Sequence, residues 1–121
     1  MLRVSQLLLL VLGLAAAHAA HGAEYYGAIA YSTGKKAHGW SKDFPSRAAA
    51  EKAAVASCAK HAEDCKSVLW FKNACGALAL GPKGAGWAWD LMQEAADTSA
   101  VNACAKHSTA CTVKRRVCTT K

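Results

Sequence analysis

Two segments of the chain place a pair of cysteines seven positions apart and share the letters Cys-Ala-Lys-His. They are CAKHAEDC, from Cys58 to Cys65, and CAKHSTAC, from Cys104 to Cys111. Thiols and imidazoles at such spacing can bind zinc, exchange electrons as a redox pair, or form a disulfide that closes a loop. The choice among these three chemistries depends on the compartment in which the chain folds.

The N-terminal residues predict export. Arg3 precedes an apolar run over residues 7–14, and the segment Ala17-His18-Ala19 has the small-x-small pattern of a cleavage site. We therefore predict a signal peptide over residues 1–19, with cleavage as late as residue 23. The apolar run is too short to anchor the chain, so we expect no transmembrane segment in the mature form. The mature protein is then periplasmic or secreted, where thiols oxidise.

An even number of cysteines in a small exported chain predicts a disulfide framework. Two disulfides would each join the last turn of a helix to the start of the next strand. The third would join two cysteines that each follow the last strand of a unit and meet through pseudo-twofold symmetry. Zinc would need further ligands at each site and no Cys-x-x-Cys pair occurs, so we predict no metal and no cofactor. The sequence leaves other pairings open, but the predicted ones are Cys58–Cys65, Cys104–Cys111 and Cys75–Cys118.

The two cysteine segments belong to a longer internal repeat. YGAIA at residues 26–30 resembles CGALA at 75–79, and GWS at 39–41 resembles GWA at 86–88. Each unit predicts strand, strand, helix, strand. We therefore predict one α+β domain over residues 24–121, built from two pseudo-symmetric ββαβ repeats at about 25–74 and 75–121. The strands form antiparallel sheet, the two helices are Ala-rich, and disulfides staple the fold.

Helix and strand signals place the elements within each unit. The first helix is predicted over residues 47–60 with Ser46 as its N-cap. In the second unit Asp90 is the predicted cap, with Gln93 as its capping-box partner. The apolar segment over residues 67–73 predicts the central strand of the first unit.

Charge narrows the class of partner. The chain has 15 Lys and Arg against 8 Asp and Glu, a formal charge of +7, and +6 without Arg3. Such a balance favours anionic partners, which are lipid head groups, acidic polymers or an acidic face of a protein. The predicted partner is another protein in the envelope or outside the cell, with an anionic surface as the alternative. The basic residues are scattered and the compartment is extracytoplasmic, so the sequence argues against nucleic acid.

Three segments carry a resemblance to a known family. YGAIAYS at residues 26–32, PSRAAAE at 45–51 and WFKNACGALA at 70–79 resemble the bacterial domain of unknown function 4189. The resemblance spans essentially the whole mature chain. It implies a small exported bacterial protein with paired cysteines, and it implies no catalytic residue.

One set of side chains could support an enzyme. His38 and Asp43 can approach one another in the predicted fold, with Ser41 or Ser46 nearby. No nucleophile motif surrounds them. We therefore predict no catalytic residue and keep an uncharacterised enzyme as an alternative.

Tryptophans and lysines predict a binding surface. Large rings more often fill a core that alanine helices leave open, but tryptophan is also enriched at protein interfaces. We predict an exported, non-enzymatic binding protein of the bacterial envelope, with an inhibitor or immunity protein for a toxin or lytic enzyme as one form. The alternative is a secreted cationic effector that acts on anionic membranes or host targets. The candidate surface consists of Trp40, Trp87, Trp89, Lys35, Lys36, Lys42 and Lys83.

Overall fold

The computed structural model describes residues 24–121, so the predicted signal peptide lies outside the described residues. Each half of this region contains three strands and one helix. The first half comprises β1 (Tyr26–Tyr31), β2 (His38–Phe44), α1 (Arg47–Ala59) and β3 (Lys66–Lys72). The second comprises β4 (Cys75–Gly81), β5 (Gly84–Asp90), α2 (Gln93–Ala105) and β6 (Thr112–Cys118).

The strands form two antiparallel sheets of three, in the orders β2-β1-β3 and β5-β4-β6. The predicted α+β class and the repeated ββαβ order are confirmed. The prediction that residues 67–73 form the central strand is wrong, because β3 lies at an edge and β1 is central. The reason is burial, since β1 is covered on both faces whereas the side chains of β3 are largely half-buried or exposed.

The two sheets pack face to face, and each has a helix on its outer face. Alternation along β1 explains this layering, because successive side chains of a strand point to opposite faces. Ile29 and Tyr31 enter the core between the sheets. Ala28 and Ala30 lie under α1. In β4 the same alternation sends Leu78 towards the first sheet, while Ala77 and Ala79 lie under α2.

The ring of Phe71 fills the centre of the core between the sheets. Phe71 lies opposite Gly27 of β1 in the first sheet. Its ring also lies against Gly76 of β4 in the second sheet. A methyl group on either glycine would overlap the ring, so the two glycines provide the space that Phe71 occupies.

Each helix lies directly on a glycine of the strand that precedes it. A side chain on Gly39 of β2 would overlap backbone atoms of α1, and one on Gly86 of β5 would overlap the Cys104 nitrogen and the Ala100 oxygen of α2. The buried helix faces are correspondingly small, which lets the helix axes approach the sheets. These faces consist of Ala50, Ala54 and Cys58 in α1 and of Ala96, Ala100 and Cys104 in α2.

The two helices begin differently. Ser46 caps α1 as predicted, since its hydroxyl accepts a hydrogen bond from the Ala49 amide at 3.1 Å. The predicted cap of α2 is wrong, because Met92 is the N-cap residue and provides no side-chain bond. Asp90 instead accepts from the Met92 amide at 3.1 Å, and Gln93 donates to Asp97 at 2.8 Å. Asp90 is the last residue of β5, and the helix starts at Gln93, two residues later than a cap at Asp90 would require.

Three disulfides join the pairs that the sequence predicted, Cys58–Cys65, Cys104–Cys111 and Cys75–Cys118. The predicted reason for the third pair is wrong. Cys75 is the first residue of β4 and not the end of the first unit, and it lies directly opposite Cys118 in the register of the second sheet. The disulfide therefore joins two neighbouring strands of one unit rather than the two units.

We predict that Phe71→Ala destabilises the protein by about 3–5 kcal/mol, because it removes the ring that both central strands enclose. Thermal and denaturant unfolding of the oxidised protein measures the change. Phe44→Ala, at the half-buried end of β2, is the control and should cost clearly less. Equal losses in the two variants would contradict a central role for Phe71.

We predict that Gly86→Ala destabilises the protein by about 1–3 kcal/mol, because the added methyl group pushes α2 away from β5. The control is Ala88→Ser in the same strand, which introduces the residue that the first unit has at the equivalent position, Ser41. Denaturant unfolding should show a nearly unchanged midpoint for the control. An unchanged midpoint for Gly86→Ala would show that α2 does not depend on the close approach.

Candidate functional site

A cleft of about 580 Å³ opens where the two hairpin turns approach the C-terminal end of α2. Two aromatic rings form part of its wall, with 6.3 Å between the ring centroids of Tyr31 and Trp87. Basic side chains surround the rings. The cleft is lined by Tyr31, Thr33, Lys36, Pro82, Lys83, Gly84, Ala85, Gly86, Trp87, Ala103, Lys106 and His107.

The loop that the first disulfide closes holds the turn between β1 and β2. Asp64 lies in this loop and accepts hydrogen bonds from the Ser32 hydroxyl and from the Gly34 amide, the latter at 2.9 Å. These bonds lower the pKa of Asp64, with the Ser32 bond as the larger cause. The turn ends at Lys36, whose φ of 56° lies in the left-handed region. The disulfide loop thereby positions one lysine of the cleft.

The equivalent loop of the second unit holds the turn between β4 and β5. Ser108 takes the role of Asp64, and its hydroxyl accepts a hydrogen bond from the Lys83 amide at 2.9 Å. His107 precedes it, and its Cβ lies 2.7 Å from the position that a Cβ on Gly84 would take. The repeated cysteine segments are thus staples that hold hairpin turns, and the turns form the rim of the cleft.

A hydrogen bond joins the two hairpin turns that form the rims of the cleft. The Lys36 ammonium group donates to the Pro82 carbonyl at 2.6 Å, which links the first unit to the second. Among residues 24–121, no carboxylate lines the cleft. The salt bridges of residues 24–121 use other basic residues, so the positive charge of the cleft has no carboxylate partner there. Those residues are Lys42, Arg47, Lys72 and Arg116.

A second groove of about 360 Å³ lies near the other end of β5. It is lined by β3 between Val68 and Lys72 and by Trp89. Trp89 is 54% exposed, and Leu91 and Met92, which directly follow β5, are 72% and 67% exposed. The groove has one charged side chain in its lining, Lys72, and is more apolar than the first cleft, and exposed apolar residues follow Trp89 in the sequence.

Trp40 lies on the opposite side of the sandwich, where β2 packs against β6. The guanidinium group of Arg115 lies 5.6 Å from the centroid of its ring. Burial lowers the pKa of His38, with smaller contributions from the charges of Arg115 and His61. Arg115 takes the place that Leu69 has in the first unit, because the two lie opposite the equivalent residues Leu78 and Ile29. This flank of the sandwich is therefore basic.

The structure brings together part of the predicted binding surface. Trp87, Lys36 and Lys83 line the cleft, and Trp89 lies two residues further along the same strand. Lys35, Trp40 and Lys42 do not line it, and Lys42 lies 4.0 Å from the Asp43 carboxylate instead. The sequence did not identify Tyr31, Lys106 and His107 as part of this surface, although the repeated Lys-His pair was a signal for the last two.

The residues considered for an enzyme do not meet. His38 and Asp43 lie at opposite ends of β2, so their predicted approach is wrong. Hydrogen bonds from Thr120, first from its hydroxyl and then from its amide, lower the pKa of Asp43. Ser41 donates to the Ala50 carbonyl at 2.6 Å, and Ser46 caps α1.

Metal-binding clusters and membrane-spanning helices are both absent from the described region. Residues 24–121 contain no group of three or more His, Cys, Asp or Glu side chains arranged to hold a metal ion. No helix in this part of the chain combines the length and the apolar character needed to cross a bilayer.

The fold and the site define a disulfide-stapled α+β protein with two ββαβ units and a basic, aromatic cleft at their junction. The family described as "Domain of unknown function (DUF4189)" matches residues 26–118. The chain therefore belongs to this family.

Curated relatives come from mycobacteria. Protein Rv1269c of Mycobacterium tuberculosis and Protein Mb1300c of Mycobacterium bovis are each 53% identical over 64 residues. The matched region is 53% of this chain and 48% of each relative, so it spans about half of their length. No solved structure matches the chain.

We predict that acid destabilises the protein partly through Asp64. Because the folded state lowers the pKa of Asp64, its contribution is present above the unfolded pKa of about 4 and is lost as the pH falls through the folded value. The melting temperature of Asp64→Ala should therefore fall less between pH 7 and pH 2.5 than that of the parent protein. Glu63→Ala, at the exposed neighbouring position, should follow the parent curve. Parallel curves for all three proteins would contradict the role of Asp64.

Proposed function

We propose that this protein is an exported, non-enzymatic binding protein of the bacterial envelope or exterior, and that its cleft binds an acidic face of another protein. The observation that carries the proposal is the convergence of Lys36, Lys83 and Lys106 around Tyr31 and Trp87, with no carboxylate in the lining that the described part of the chain provides. Aromatic side chains are enriched at protein interfaces, and lysines around them provide electrostatic complementarity to an acidic face. An inhibitor or immunity role remains one form of this proposal.

The shape and rigidity of the site favour a protein partner. The lysines surround a concave cleft between two turns, whereas a membrane presents a broad surface that a flat basic face fits better. Disulfide loops hold both turns, and a preorganised surface loses little conformational entropy on binding. Lysines around a cleft also steer an acidic partner before contact.

A second candidate has one observation in its favour. Trp89, Leu91 and Met92 form an exposed apolar segment on a protein of net positive charge. Such a combination can anchor a protein to an anionic membrane. This candidate is the cationic effector that the sequence also suggested.

The test is capture of envelope and culture-fluid proteins by the oxidised mature protein, with mass spectrometry of the bound material. Lys83→Glu/Lys106→Glu reverses two charges at the cleft. Lys42→Glu/Lys52→Glu makes the same change of net charge elsewhere and is the matched control. We expect the cleft variant to lose acidic partners at least about tenfold in affinity, and the control to retain them. Added salt should weaken the binding.

Vesicles of phosphatidylglycerol form the second arm of this test. Strong binding to these vesicles that both double variants weaken alike, with no specific protein captured, would contradict the proposal and favour the cationic effector. Retention of the captured protein by the cleft variant would also contradict it, because the lysines of the cleft would then not be part of the interface.

A further inference from the structure

The outer edge of β5 differs from the other three sheet edges of residues 24–121. Proteins protect exposed strand edges with bulges and charged side chains, because an open edge pairs with other chains. The pairings of β2, β3 and β6 with their central strands each contain a register shift. Charged residues also lie within β2 and β6, and β3 has a lysine at each end. The β4–β5 pairing is regular throughout. Between Gly84 and Trp89, β5 carries no charge.

The register shows which backbone groups this edge offers. Gly81 and Gly84 close the two-residue turn of the hairpin, so they form the hydrogen-bonded kind of pair. The alternate residues Ala85, Trp87 and Trp89 therefore direct their N–H and C=O groups away from β4. The third disulfide agrees with this assignment, because its Cα–Cα distance of 4.0 Å is that of a non-hydrogen-bonded pair on the other side of β4.

The structure leaves these outward groups without backbone partners. In the sheet order, β5 has β4 as its one neighbour, and no further backbone hydrogen bond within residues 24–121 involves Ala85, Trp87 or Trp89. The same three residues line the two cavities. Ala85 and Trp87 belong to the basic cleft, and Trp89 belongs to the apolar groove.

We propose that the edge of β5 binds an extended acidic segment of a partner protein as an added antiparallel strand. This inference rests on the proposed function and assigns its binding mode. Main-chain hydrogen bonds to β5 give such a complex its affinity, and alternate side chains that enter neighbouring cavities give its specificity. The cleft and the groove lie along one strand and suit that mode.

Charge and spacing define the segment that fits. In an antiparallel arrangement its C-terminal part lies beside Gly84, where Lys36, Lys83 and Lys106 favour carboxylates. Ala85 and Trp89 are four positions apart, which is about 13 Å along a strand. The segment should therefore carry an acidic side chain four positions after an apolar one that enters the groove beside Trp89.

The test uses the oxidised protein and the peptide acetyl-Thr-Leu-Thr-Val-Thr-Glu-Glu with a free carboxyl terminus. Calorimetry at low salt measures its affinity. Hydrogen exchange measured by NMR should show that the amides of Ala85, Trp87 and Trp89 gain protection in the complex. The amides of Gly86 and Ala88 face β4 and should change less. A peptide with Lys in place of Glu should bind at least about tenfold more weakly.

Two N-methylated peptides test the strand pairing without changing the protein. One carries methyl groups on the amides of its second, fourth and sixth residues, and the other on those of its third, fifth and seventh residues. Strand addition predicts that one peptide loses affinity at least about tenfold and that the other binds nearly as the parent does. Absence of binding by the parent peptide, or equal effects of the two methylation patterns, would overturn the inference.

The outcomes also separate this inference from the proposed function. If the two N-methylation patterns weaken binding equally and Lys83→Glu/Lys106→Glu abolishes it, the cleft is the binding site but the peptide does not bind as an added strand. Sedimentation tests a second copy as the occupant. A dimer that Ala85→Pro converts to a folded monomer would overturn the assignment to a partner peptide, because proline removes an outward N–H group of the edge.

Discussion

Phe71 of β3 lies between the central strands of the two units, and its ring occupies the space left by the missing side chains of Gly27 and Gly76. This contact sets the distance between the two sheets and brings the central strands β1 and β4 together. The ends of these strands lead into the turns that carry Lys36 and Lys83. The cleft depends on this arrangement because its two rims belong to different units, which the packed core and the Lys36–Pro82 bond hold together.

The repeat keeps the scaffold and varies its surface. Gly39 and Gly86 both lie under helix backbone, and both disulfide loops hold a hairpin turn. Such positions tolerate few alternatives, because added volume would displace a helix or release a turn. The edge strands of the two sheets can carry different side chains. Arg115 makes one flank basic where Leu69 contributes to an apolar groove on the other, so a nearly symmetric fold presents two different sides.

Local sequence patterns predicted the helices and strands, but they did not predict which strands lie side by side in the sheets. The N-cap at Ser46, the small helix faces and the cysteine pairs are visible in the sequence because each depends on residues close along the chain. The central position of β1 was not visible, since an apolar segment such as that at 67–73 suits an edge or a centre equally well. The candidate surface was predicted in part for the same reason: Trp87 and Lys83 share a hairpin, whereas Tyr31 and Lys106 reach the cleft from other elements.

The sequence by itself determined a duplicated ββαβ chain with six cysteines, a positive charge and alanine-rich helices, because composition and periodicity act through short-range geometry. The tertiary structure decided that the strands form two sheets, that Cys75 pairs within its own unit, and that lysines from two turns and a helix surround one pair of aromatic rings. These features depend on contacts between residues far apart in the chain. Their energies come from the packing of complementary shapes, which no local pattern of residue types records.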